Sequence, residues 1–294
     1  MDWQTRMGAA LDYLEGHLKD DIDLGAAAAE ANCSAFHFMR MFEMVTGIGV
    51  AEYVRRRRLS LAALELASGK AQGIADRILD IALDCGYESP DAFARAFKRE
   101  FGCTPSEARE PGLILHIYPK LAFTVALKGD TAMEYRIEKG KALRLCGFSL
   151  RTSGANGTSF KEIPEFWNRL MRDGRCAALC AAAAGSGLGM CGVCHSCDDA
   201  SGEFTYSVAI ETAASLEQLP KGCVEILVPA STWAKFTSRG PLSANFQPLI
   251  KRIYAEWLPA SGREHAGTPE IEFYPDLPDM EAADYWCEYW IPLK

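Results

Sequence analysis

Residues 89–102 read SPDAFARAFKREFG, and residues 34–47 read SAFHFMRMFEMVTG, the same pattern 55 positions earlier. Ser34, Phe38, Arg40, Phe42 and Gly47 recur in one register as Ser89, Phe93, Arg95, Phe97 and Gly102, and upstream Leu24 and Ala27 recur as Leu79 and Ala82. A repeat of that density is duplication of a supersecondary unit. Its internal signals predict helix-turn-helix. In the second copy Ile78 to Asp84 is a short helix and Gly86 a turn where positive φ costs little. Ser89 caps the next helix, Pro90 takes its first position and Gly102 ends it. Thr104-Pro105-Ser106-Glu107 then opens another helix with a capping box.

At 100° per residue, Phe93, Ala96 and Phe97 face inward while Asp91, Arg95, Lys98 and Arg99 face out. In the first copy Phe38, Met41, Phe42 and Val45 face inward, leaving Phe36, Met39, Arg40 and Glu43 exposed. An exposed Phe and Met beside an Arg suit thymine methyls and guanine in a major groove. A small helical domain with solvated arginines is the competing reading. Val50 to Ala67 is predicted as a helix of ~25 Å at ~1.5 Å per residue, a spacer holding two recognition helices near one DNA turn of ~34 Å. It carries Arg55 to Arg58, of which some, Arg55 and Arg56 foremost, should meet phosphates and others acidic neighbours. A merely solvated charge run is the alternative. His37, on the first recognition helix, reads as a phosphate or packing residue.

The chain has 294 residues, no apolar run long enough to span a membrane and no signal peptide, so a soluble, cytoplasmic protein of two domains is expected. Its eleven cysteines are expected as reduced thiols. Residues 1–112 hold 13 basic and 18 acidic side chains, net −5 within a chain of net −8, unusual for a DNA-binding segment. The acids cluster at Asp12, Glu15, Asp20, Asp21, Asp23, Asp76, Asp80 and Asp84, away from the reading faces. Weak non-specific affinity and a modest salt slope follow.

Pro111-Gly112 marks a boundary, after which Ala-rich helix gives way to β-branched, aromatic segments punctuated by glycine. The expected organisation is a tandem helix-turn-helix domain over 1–110, a linker or connecting strand over 111–130 and an α+β domain over 131–294. That domain reads as a duplicated βαββ unit whose two sheets could enclose a cleft. In the terminal strand DYWCEYWIPL, alternation puts Trp286, Glu288 and Trp290 on one face and Tyr285, Cys287 and Tyr289 on the other. A carboxylate between two indoles has the parts to hold an organic cation. A surface glutamate with aromatic packing is the alternative.

The segments YVRRRRLSLAALEL and IALDCGYESPDAFARAFKREFGCTPSEAR resemble the AraC/XylS family of transcription regulators, over residues 8–110. The resemblance implies two helix-turn-helix units reading adjacent major grooves of double-stranded DNA. Its base-contacting positions fall on Phe36, Met39 and Arg40, and on Pro90, Asp91, Ala92 and Arg95. Residues 131–294 resemble the GyrI-like effector-binding domain through VPASTWAKFTSRGP, the helix ending at Trp257, PEIEFYP and CEYWIPL. That likeness implies a Glu on the last strand at the base of an aromatic pocket for cationic, amphipathic ligands. The position maps to Glu288, with Tyr206, Trp233, Trp257 and Tyr274 as candidate walls, each equally readable as core.

Cys191, Cys194 and Cys197 have a spacing that thiolate metal sites use, yet residues at i and i+3 of a strand point to opposite faces, so no metal or cofactor is expected. Gly185-Ser186-Gly187-Leu188-Gly189 lacks the Lys and helix of a phosphate loop. Ala177 to Ala184 reads as a short helix or loop filler. The sequence thus predicts a one-component regulator, not an enzyme, with DNA, a cationic or amphipathic aromatic effector and RNA polymerase as partners. Two rivals stand beside it: a small-molecule hydrolase with Glu288 as general base, and a C-terminal domain that binds only protein.

Overall fold

The computed structural model describes residues 3–68, 74–110, 112–122, 132–153, 158–182, 189–198, 203–267, 269–275 and 279–294. Pro111, most of the glycine-rich run at 185–189 and much of the expected linker lie outside them. The chain divides into two compact units, one of residues 4–32 and 50–124, the other of residues 33–49 and 125–294 with the first three residues. The segment Cys33–Gly49, expected with the helical region, therefore belongs to the same unit as the C-terminal half.

The helical unit holds α1 (Trp3–Gly16), α2 (Leu24–Glu30), α4 (Val50–Ala67), α5 (Ile74–Asp84) and α6 (Pro90–Phe101), then one 3-10 turn at Glu107–Arg109. The caps of α6 are those the sequence specifies: Ser89 Oγ accepts from Ala92 N at 3.2 Å, and Gly102 takes a left-handed φ of 76°. Glu107 and Thr104 form the reciprocal capping box, with bonds of 2.7 and 3.2 Å, but only a 3-10 turn follows it, not a full helix. Phe93 and Phe97 are fully buried against Leu59, Ala63 and Ile81, while Asp91, Arg95, Lys98 and Arg99 are exposed.

The arginine run has the acidic neighbours expected for part of it, but they extend to Arg55 and Arg56. Arg55 pairs with Glu52 and Glu100, and Arg56 pairs with Glu52 and lies 4.8 Å over the Tyr118 ring. Arg57 grips Glu15 with two bonds of 2.8 Å, and Arg58 donates to the carbonyls of Leu18 and Asp20. Arg55 and Arg56, assigned to phosphates from the sequence, are thus engaged by the chain's own carboxylates. A guanidinium half removed from water takes the nearest fixed anion.

The second unit is built on one antiparallel sheet of eight strands: β1 (Tyr135–Gly140), β2 (Leu143–Ser153), β3 (Met190–His195), β4 (Glu203–Glu211), β5 (Val224–Val228), β6 (Ser231–Arg239), β7 (Glu270–Tyr274) and β8 (Trp286–Leu293). Their order is β1-β6-β8-β7-β3-β4-β2-β5, so the two sheets expected are one, joined where β7 pairs with β3. Helices α7 (Thr158–Arg172), α8 (Arg175–Ala182) and α9 (Leu242–Arg252) accompany it. A π turn at Ile253–Trp257 and a short α10 (Leu258–Ser261) prolong α9, and α3 (Ala35–Thr46) packs on α9 and the π turn.

Alternation gives the sheet two dissimilar faces. Cys194, Phe204, Tyr206 and Val208 pack with Phe166 and Leu170 of α7, whereas Cys191, Val193, Trp233, Ile271 and Trp290 form a separate core. Cys191 and Cys194 therefore point to opposite sides and cannot share a ligand. Because α6 depends on its cap, Ser89→Ala should lower unfolding stability by about 1 kcal/mol, with Ser89→Asp near wild type, read from urea denaturation of the full chain.

Candidate functional site

A cavity of about 820 Å³ lies on the helix-bearing face, within the range of small-molecule sites. Its walls include Phe160, Ile163 and Trp167 of α7, Phe246 and Ile250 of α9, Phe204 and Tyr206 of β4, Glu272 and Tyr274 of β7, and Phe36, Met39, Arg40, Glu43 and Met44 of α3. Of these residues only Tyr206 and Tyr274 were expected as walls from the sequence. The α3 wall is the segment read from the sequence as the first recognition helix.

Its acidic group is Glu272. Tyr206 donates to Glu272 Oε2 at 2.5 Å and Tyr274 at 2.9 Å, while Trp167 donates to the Tyr206 oxygen at 2.8 Å. Burial pushes the Glu272 carboxyl up, against the hydroxyl bonds and Arg40, which favour its charged form. Gly192 makes the arrangement possible, since a Cβ there would come within 2.1 Å of the Tyr206 oxygen and 2.5 Å of Glu272 Oε2. An indole and two phenols around a buried carboxylate can receive a flat cation, by charge and by cation–π contact.

Arg40 is the centre of the α3 wall. Its Nε stands 3.0 Å from Glu270 Oε2, Nη2 donates to the Tyr289 hydroxyl at 2.8 Å and Nη1 to Cys194 Sγ at 3.1 Å. Burial would raise the Glu270 carboxyl, but Arg40 and the neighbouring His265 and His37 outweigh it and hold the group well below the carboxylate range. Tyr254, turned inward by the π turn, and Tyr289 also donate to Glu270. Phe36 meets Phe204 at 5.1 Å between ring centroids.

The expected exposure of Phe36, Met39, Arg40 and Glu43 is therefore corrected. Phe36, Met39 and Glu43 are 8%, 5% and 6% exposed, and the Arg40 side chain 11%. A helix with Phe and Met on its outer face buries that face wherever apolar surface is available, and the cavity rim supplies it.

The effector assignments are corrected as well. Glu288 lies on the other sheet face, where Arg136 grips it with bonds of 2.6 and 3.1 Å and Trp290 Nε1 donates at 2.7 Å. Lys235 Nζ sits 3.5 Å over the Trp290 ring. The chain's own cations thus occupy the places read as a ligand site, and Glu288 does not line the cavity described above. Trp286 packs on Phe273, Trp233 on Trp290, and Trp257 between Tyr135 and Phe236, none of them lining the cavity. Tyr206 and Tyr274 do line it. Glu272 was missed although the alternation in Glu270-Ile271-Glu272-Phe273-Tyr274 puts both acids and a tyrosine on one face.

Residues 133–294 match the GyrI-like small molecule binding domain. The chain belongs to the GyrI-like family. Residues 27–111 match a helix-turn-helix domain, so this member is an AraC-type DNA-binding regulator with a GyrI-like domain at its C-terminal side. It is similar to the regulatory protein SoxS of Salmonella typhimurium LT2, 36% identical over 109 residues that make up 37% of this chain and 97% of that protein. It is also similar to the right origin-binding protein of Escherichia coli K12, 44% identical over 96 residues, 33% of this chain and 32% of that protein, so it spans about a third of that relative's length. Among solved structures, SAV2435 bound to tetraphenylphosphonium aligns at 22% identity and TM-score 0.49, over 55% of this chain and 94% of that one. No helix among the described residues is long and apolar enough to cross a membrane.

In this GyrI-like regulator, burial pushes the carboxyl of Glu43 up to about 7, with Arg40 acting in the opposite sense. Between its ordinary value of 4.5 and about 7 the folded chain holds a proton that the unfolded chain releases, so stability contributed by this group falls as pH rises through that window. Glu43→Gln should remove that part of the slope. Urea midpoints of both proteins at pH 5 and pH 7.5 measure it, and parallel slopes would refute the burial of a protonated Glu43.

Proposed function

We propose that the protein is a one-component transcription regulator in which a cationic, aromatic effector bound at Glu272 controls whether α3 is available to DNA. The observation that carries this reading is the position of Arg40. One guanidinium serves the family's base-contacting position and the buried pair with Glu270, and it cannot do both at once. The docked α3 is thus the inactive arrangement. A ligand shifts such an equilibrium only through a difference in affinity between the two states. A cation at Glu272 supplies that difference, because it repels Arg40 in a low-dielectric wall and fills space that Phe36 and Met39 border. Effector binding then favours release of α3 and raises operator affinity.

On this reading Arg95, Lys98, Arg99 and Asp91 of α6 contact the operator, and Phe36, Met39 and Arg40 join them after release. Arg55 and Arg56 orient α4 through Glu52. The regulator acts in the cytoplasm, with RNA polymerase as its further partner. Domains of 1–110 and 131–294 are the units of sequence on this reading, although residues 33–49 cluster with the second. The equivalent orders β3-β4-β2 and β7-β8-β6 on either side of the central pair support two copies of one βαββ unit.

Tetraphenylphosphonium and neutral triphenylphosphine oxide are suitable probes for tryptophan quenching. The cation should bind, Glu272→Gln should weaken it at least tenfold, and Glu288→Gln should leave it within about twofold. Equal binding of both probes would discard a charge-selecting cavity. In operator binding without effector, Glu270→Gln should raise affinity by loosening α3, whereas Arg95→Ala should cost ~1–3 kcal/mol on specific DNA. A Glu270→Gln protein that is folded and no tighter on DNA would sink the docking reading.

A further inference from the structure

The acidic side chains of the effector cavity are unequally provided for. Glu272 accepts from Tyr206 and Tyr274. Glu281 is exposed and accepts from the Ser243 N–H at 3.1 Å and from its hydroxyl at 2.6 Å. Glu43 lines the same cavity and is 6% exposed, yet no hydrogen bond or ion pair reaches its carboxylate among the described residues. Neither of its oxygens is sealed off by protein atoms, so the space they meet is the cavity. It stands in the last turn of α3, where the Gly47 cap donates to its carbonyl at 2.8 Å. That end of a helix carries the negative pole of the dipole and gives a carboxylate no support.

A buried carboxylate in that condition is relieved by a proton or by a cation. Burial pushes the Glu43 carboxyl up to about 7, with Arg40 opposing. Arg40 is the one basic side chain among the described lining residues, and it cannot supply the counter-charge. Its three nitrogens are directed at Glu270, Cys194 and Tyr289, and Glu270 is outside the lining. Glu43 feels Arg40 at a distance and takes no effect from Glu272. The two acids are therefore separate anionic points of one cavity, and a single cationic centre held at Glu272 leaves Glu43 without a partner.

We propose that the cavity selects organic dications, with one cationic centre at Glu272 and the second at Glu43. The inference rests on the reading of Glu272 as a cation site and adds the second subsite to it. Met39, Phe246 and Ile250 supply apolar wall for the spacer that joins the two centres. Tethering raises the effective concentration of the second centre once the first is bound, so two modest contacts give one tight ligand. Glu43 belongs to α3 and Glu272 to β7, so a ligand seated on both ties the helix to the sheet. Its affinity is then greater for the docked arrangement, the reverse of a monocation that meets Glu272 alone. Monocations release α3 and dications retain it.

The test uses the full-length protein and bis(amidinophenoxy)alkanes of increasing chain length, each paired with the analogue in which a neutral carboxamide replaces one amidine. Tryptophan quenching reads binding. At the best chain length the diamidine should bind at least tenfold tighter than its partner. Glu43→Gln should remove that advantage and leave the monoamidine within about twofold, Glu272→Gln should weaken both, and Glu281→Gln should leave both within about twofold. Far-UV circular dichroism establishes that each variant is folded. Should Glu43→Gln fail to fold, the paired probes on the wild-type protein and on Glu281→Gln still decide the matter. Equal affinity within every pair, or an advantage that survives Glu43→Gln or is lost in Glu281→Gln, would overturn the second subsite. Monoamidine binding that depends on Glu272 in that case leaves the Glu272 reading standing, whereas monoamidine binding indifferent to Glu272→Gln sinks that reading itself. On operator DNA the monoamidines should raise affinity and the diamidines lower it; a diamidine that needs both acids and still raises affinity would overturn the retention of α3.

Discussion

The buried pair of Arg40 and Glu270 is the constraint around which the sheet-bearing unit is organised. Two charges taken out of water are poor contributors to stability, because desolvation offsets most of their attraction. They are demanding in position, however, since either one alone would be costly. Glu270 meets that demand with hydroxyls from the π turn and from β8, and with Arg40 itself. An apolar contact would hold α3 as firmly and tolerate sliding. An ion pair with fixed partners holds it in one place.

The two carboxylates of the sheet that looked alike in sequence differ in how completely they are neutralised. Glu288 has a bidentate arginine and an indole N–H. Glu272 has two phenols and no cation in direct contact among the described residues, and burial disfavours its charge. Hydroxyl donors orient a carboxylate without cancelling it. Of the two, Glu272 is the one that lines the cavity.

An acidic DNA-binding segment also finds a physical explanation. The arginines of α4 are taken up by Glu15, Glu52, Glu100 and backbone carbonyls. Acids that seemed to count against a nucleic-acid partner are in part internal counterions of the spacer helix. The basic side chains Arg95, Lys98 and Arg99 of α6 stay exposed.

Local chemistry was legible in the sequence wherever one residue's backbone or cap decides the outcome. Ser89, Pro90 and Gly102 bound α6, Gly86 makes the turn before it, and α4 runs over the residues its helical character indicates. Alternation likewise separated Glu288 from Tyr289 correctly, because strand geometry fixes which neighbours share a face. It could not say which face meets a cavity, since that depends on where α7 and α9 pack, nor that Arg136 and Lys235 from distant positions would occupy the other. For α3 the helical period correctly gathered Phe36, Met39, Arg40 and Glu43 on one side. Whether that side meets DNA, water or protein is set by apolar surface and a carboxylate more than 200 residues away, so only the tertiary structure decided that it is buried.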